Sequence, residues 1–107
     1  MQEMTPAELA ARLADPPGER PLLLDVREPW EFQYCHIDGS LPLPMSVLPA
    51  RIAELDPARE TVVICHHGMR SAQVCRFLEH QGFARVINLS GGVAAWAERI
   101  DPRMPQY

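Results

Sequence analysis

With 107 residues, 47% of them hydrophobic and 22% charged, the chain has the composition of an ordinary globular domain, which excludes disorder along its whole length; residues 1–107 are read as a single domain. Ten arginines and no lysines stand against fourteen acidic residues, for a net charge of −4. The arginines are scattered from Arg12 to Arg103 without forming a stripe, so nucleic acid is not an expected partner. No window approaches the ~18–20 apolar residues of a membrane-spanning helix, and Met1-Gln2-Glu3-Met4 does not open a secretory leader, so a cytoplasmic protein is expected. Three cysteines, Cys35, Cys65 and Cys75, make an odd count without a CxxC pair and suit a reducing compartment.

Thr5-Pro6-Ala7-Glu8 places a hydroxyl at an N-cap, proline at the first helical position and Glu three residues past the cap, which predicts a helix to about Asp15. Pro16-Pro17-Gly18 stops it. The unbroken apolar run Pro21 to Val26 then predicts a strand covered on both faces. Leu41-Pro42-Leu43-Pro44 reads as an extended connection or edge strand, because proline cannot donate to a central ladder. Leu48, Ile52 and Leu55 share a face of a short helix within Met45 to Leu55, with Pro49 in its first turn. Thr61 to Cys65, β-branched almost throughout, and Arg85 to Leu89 are two further strand runs, and a helix over Ser71–Gln81 lies between them. Val93, Trp96 and Ile100 mark a last helix, over Gly92–Ile100. Strands alternating with helices predict an α/β domain with a mainly parallel sheet, whose sites lie beyond the carboxyl ends of the strands.

One of those ends is Cys65, followed by His66-His67-Gly68-Met69-Arg70-Ser71 and the start of a helix. A cysteine there faces unpaired backbone N–H groups and the positive end of a helix dipole, both of which favour a thiolate. Gly68 allows a tight turn with inward amides, an anion-binding nest, and Arg70 adds a permanent charge at the rim. Asp25 and Arg27 leave another strand end, where they either support the loop or pair with one another at the surface. Of the two, Arg27 is the one expected to face substrate. Cys75, on the apolar side of its helix, and Cys35 are read as small buried hydrophobes.

The loop Cys65 to Ser71 resembles the active-site loop of the rhodanese family of sulfurtransferases: Cys, two residues, Gly, one residue, Arg and Ser. Asp25-Val26-Arg27-Glu28 with Trp30-Glu31-Phe32, His36-Ile37-Asp38-Gly39-Ser40 and Gly91-Gly92-Val93-Ala94-Ala95-Trp96 resemble that family's other signatures, in the family's order. The resemblance implies a rhodanese-like fold, a five-stranded sheet flanked by helices on both faces. It also implies a reaction in which Cys65 takes a sulfane sulfur from a small anionic donor such as thiosulfate and hands the persulfide sulfur to a thiophilic acceptor, cyanide or a thiol. His66, His67, Gly68, Met69, Arg70 and Ser71 would then face substrate, although the family assigns neither histidine a role. No metal or organic cofactor is expected, and the partners that the resemblance allows include a sulfur-relay protein.

Three other readings compete. The fold also serves noncatalytic interaction or sensing modules, but such a module has no chemical need for a thiol in an anion cradle. Related cysteine phosphatases and arsenate reductases place five residues between Cys and Arg, whereas this loop has four, which suits one added sulfur better than a tetrahedral oxyanion. Zinc would have to use Cys35-His36 and Cys65-His66-His67, where no CxxC or HxxxH spacing offers a preorganised pair. His36 is instead expected to bond backbone in a turn, and Gly91-Gly92 to turn the chain tightly into the last helix.

Overall fold

The computed structural model describes every residue from Met1 to Tyr107. Five strands, β1 (Gln2–Met4), β2 (Leu22–Asp25), β3 (Leu41–Pro42), β4 (Thr61–Ile64) and β5 (Val86–Leu89), form one sheet in the order β1-β5-β4-β2-β3. Every pairing is parallel, with Leu24 opposite Val63 and Val63 opposite Asn88. The carboxyl ends of β2, β4 and β5 therefore share one edge of the sheet.

The strand runs are mostly apolar because both faces are covered, with Asp25 and Asn88 as buried polar exceptions. Leu23, Val62, Ile64, Ile87 and Leu89 pack with Leu9 of α1 (Pro6–Leu13) and with Val93, Trp96 and Ala97 of α5 (Gly92–Arg99). Their neighbours Leu24, Val26, Val63, Cys65 and Val86 turn to the other face, against Leu48 of α3 (Leu48–Arg51) and Val74, Cys75 and Leu78 of α4 (Met69–His80). Alternation along a parallel strand thus feeds two cores.

The first helix carries the expected cap: the Glu8 amide donates to Thr5 Oγ1 (3.1 Å) and the Thr5 amide to Glu8 Oε1 (2.9 Å). It ends at Leu13, two residues before Asp15. The predicted Met45–Leu55 helix resolves into α3 and a 3-10 turn over Ile52–Glu54, and the helix expected from Ser71 starts at Met69 with Gly68 as its N-cap. Among the strands and α-helices, two have no counterpart among the expectations. β1 is three residues long and exists through its pairing with β5. α2 (Pro29–Tyr34) begins at Glu28, whose amide donates to Glu31 Oε2 (2.8 Å). Pro29 at its first position was a legible start signal, but Glu28 is not a typical cap residue. No helix is long and apolar enough to cross a membrane.

Candidate active site

Cys65 directly follows β4, and the chain from His66 to Gly68 turns into α4. Gly68 has φ +100°, and a Cβ there would press on the Gly91 amide nitrogen at 3.2 Å, so the turn needs glycine both for its backbone and for its packing. The N-terminus of α5 holds the outer side of the loop: the Val93 amide donates to the Cys65 carbonyl (2.9 Å) and the Ala94 amide to that of His66 (3.0 Å). A Cβ on Gly92 would overlap both carbonyl oxygens, which is the reason for a glycine there. The Gly91-Gly92 turn thus does more than enter the helix, because it lets α5 dock under the loop.

With the loop carbonyls held, its amides are left over. The Gly68 N–H donates to Cys65 Sγ at 3.0 Å, and Ser71 Oγ lies 3.2 Å from the same sulfur. The N–H groups of His66, His67, Met69, Arg70 and Ser71 donate to no other group of the chain. Cys65 is 1% exposed and belongs to the same loop as these unspent donors. Such a nest solvates an added anion and stabilises charge that develops on the sulfur.

Arg70 does not stand free at the rim. Its Nη1 and Nη2 donate to the two carboxylate oxygens of Glu31 at 2.8 Å each. Arg70's two bonds, with help from the Glu28 amide and the Tyr107 hydroxyl, hold the Glu31 carboxyl down at about 2 despite its burial. The Tyr107 hydroxyl donates to Glu31 Oε1 (2.8 Å) and accepts from Arg27 Nη1 (2.9 Å). Its ring stacks on His66 at 4.0 Å and meets Trp30 and Tyr34 edge-on. Burial pushes the Tyr107 hydroxyl up to about 12, so it remains a neutral donor. Burial, reinforced by the charge of His67, also lowers His66 from its usual range.

Arg27, expected to face substrate, is buried. It is 1% exposed and lies against Asp25, with Nε and Nη2 donating to the carboxylate at 2.9 and 2.7 Å and Nη2 also donating to the Cys35 carbonyl at 2.6 Å. The pairing expected at the surface is buried, because β3 and the segment around Cys35 close over the end of β2. Asp25 accepts the Arg27 amide (3.1 Å) and no amide of the Cys65 loop. His36 lies with Nδ1 2.8 Å from the Phe32 carbonyl, bonded to backbone as expected. No three His, Cys, Asp or Glu side chains converge as metal ligands would.

The loop Cys65 to Ser71 thus has Asp25 and Arg27 behind it, and Glu31, Asn88 and Tyr107 join its hydrogen-bond network. Glu31 lay in a recognised motif without an assigned role. Asn88, a polar residue inside a strand run, was a visible irregularity. For Tyr107 no local signal existed.

Residues 5–99 match the Rhodanese-like domain family. The chain belongs to that family. The domain is 42% identical to a sulfurtransferase of Allochromatium vinosum over 91% of its own length and 89% of that protein. It is 36% identical to the probable adenylyltransferase/sulfurtransferase MoeZ of Mycobacterium tuberculosis, where it aligns with 97% of itself but spans only 26% of that longer chain. A rhodanese-like domain protein of Staphylococcus aureus superposes on this rhodanese-like domain with a TM-score of 0.84, at 28% identity, over 90% of this chain and 91% of the other.

Proposed function

We propose that the domain is a sulfurtransferase carrying sulfane sulfur on Cys65, with thiosulfate as a competent donor and cyanide or a thiol as acceptor. The Cys65 thiolate attacks the outer sulfur of thiosulfate, the S–S bond breaks, and sulfite leaves with its electron pair. The acceptor then attacks the terminal sulfur of the persulfide, and the Cys65 thiolate returns as leaving group. Both steps place negative charge at the loop. One observation carries the reading: Sγ accepts the Gly68 N–H, and five further amides of the same loop donate to no group of the chain.

Arg70, paired with Glu31, fixes the loop's first helical turn, and its field adds to that of the amides. Met69, 78% exposed, and His67, also exposed, face an arriving acceptor, which on this reading includes a sulfur-relay protein. Three unbridged cysteines suit a cytoplasmic setting.

The test is intact mass after purification without reductant, followed by a thiosulfate to cyanide assay. One added sulfur that dithiothreitol removes, and that Cys65→Ser lacks together with its activity, is the expected result. Full sulfur transfer by Cys65→Ser would overturn the mechanism. So would full retention in Cys65→Ser accompanied by loss in Cys35→Ser. Burial pushes the Cys75 thiol up to about 12, so Cys75→Ser should transfer as the parent does.

A further inference from the structure

Behind Cys65 runs a chain of hydrogen bonds whose direction is decided by its far end. Asn88 Nδ2 donates to the Gly68 carbonyl (3.1 Å) and to the Glu3 carboxylate (3.1 Å to Oε2). Both are pure acceptors, so the amide can sit only one way round, with Oδ1 toward Ser71. Glu3 is itself held by the Ser90 hydroxyl at 2.7 Å. Oδ1 accepts, so the single proton of Ser71 points at Asn88 in a short hydrogen bond. Ser71 and Asn88 are 0% and 4% exposed, so the hydrogen bond between them is buried.

Ser71 Oγ therefore presents lone pairs, not its proton, to Cys65 Sγ 3.2 Å away. That arrangement suits a thiol donating to Ser71. It does not suit a sulfur anion, which needs the hydroxyl proton turned toward it. Turning it strips Asn88 Oδ1 of the one donor it has and leaves a buried carbonyl oxygen unpaired.

We propose that Asn88, oriented by Glu3, is a positioning residue that holds the Ser71 proton away from Cys65 and so restrains the nucleophile in the resting loop. Charge arriving on Cys65, as thiolate or persulfide, competes with Asn88 for that proton, and the hydroxyl works as a two-position rotor between them. The proposal rests on Cys65 as the reacting sulfur, and its consequences are read at that sulfur without requiring transfer to any acceptor.

The test is a double-mutant cycle on the rate of Cys65 alkylation by iodoacetamide at neutral pH. Asn88→Leu, close in shape, should raise the rate about tenfold by freeing the Ser71 proton for the sulfur. In a Ser71→Ala background the same substitution should change nothing. Asn88→Ala repeats the cycle with a smaller side chain should Leu fail to fold. The unsubstituted protein supplies the spectroscopic signature: the side-chain amide resonances of Asn88 should move when thiosulfate loads Cys65 with sulfur, and should stay in place on loading Ser71→Ala. No acceleration, equal acceleration in both backgrounds, or a stationary Asn88 amide in the loaded native protein each overturns the proposal. Failure of the sulfurtransferase reading would look different, since Cys65 would then take up no sulfur while the alkylation cycle still reported on Ser71.

Discussion

Arg70 and Glu31 face one another through two parallel hydrogen bonds of 2.8 Å, joining the first turn of α4 to α2 across the mouth of the Cys65 loop. The carboxylate is 5% exposed and the guanidinium 35%, so the pair is sheltered on one side and wet on the other. The guanidinium is thus a brace between two helices, and it uses the planar fork of arginine, which lysine lacks.

Glu31 should give the fold an acid limit. Its carboxyl titrates at about 2 in the folded chain against 4.5 for the ordinary group, so its stabilisation is complete above about pH 4.5 and is lost as pH falls toward 2. Screening at the wet side of the pair reduces the effect to ~1–2 kcal/mol. Urea midpoints measured across that window should fall in the parent and stay flatter in Glu31→Gln. Parallel slopes would remove Glu31 as the cause.

Arg70→Ala should raise the thiosulfate KM strongly and also cost ~1–2 kcal/mol of stability, because it strands the Glu31 carboxylate. Arg70→Lys keeps the charge but loses the fork, and should recover part of each. Kinetics and melting on the same preparations separate the two losses. Lysine kinetics indistinguishable from arginine would show that charge alone matters.

Arg27 should behave as a structural residue. Arg27→Met or Asp25→Asn leaves a buried charge without its partner and should cost ~3–5 kcal/mol, while Arg27→Met combined with Asp25→Leu should recover much of it. The thiosulfate KM of whatever remains folded should match the parent. A raised KM in stable protein would return Arg27 to the substrate site.

Gly92→Ala should cost ~2–4 kcal/mol and most of the activity, since the new methyl meets the Cys65 and His66 carbonyl oxygens and would push the nest open. Gly18→Ala, with nothing within 4 Å of the added carbon, is the matched control and should stay within ~0.5 kcal/mol of the parent. Thermal melts decide it, and equal melts for the two would contradict the packing of α5 under the loop.

Tyr107→Phe keeps the ring on His66 but removes a donor to Glu31 and an acceptor for Arg27. A loss of ~1–2 kcal/mol is expected. The acid limit of Glu31 should move to higher pH with it. An unchanged melt and acid limit would mean that water replaces the hydroxyl without cost.

Much of this protein is legible in its sequence because the signals are local. The Thr5-Pro6-Glu8 cap, the three apolar strand runs and the loop from Cys65 to Ser71 each lie within a few residues, and backbone sterics, periodicity and turn chemistry act over that distance. Only the tertiary structure decided what the charged and polar groups do. Glu31 meets Arg70 across 39 residues, Tyr107 meets Arg27 across 80, and Glu3 meets Asn88 across 85. Arg27, read locally as a group at a strand end, is buried by segments that reach it only after folding. β1 is a strand because β5 is there to pair with it. A carboxylate or amide carries no periodicity that names its partner, since that partner is chosen by which elements the sheet order β1-β5-β4-β2-β3 sets side by side.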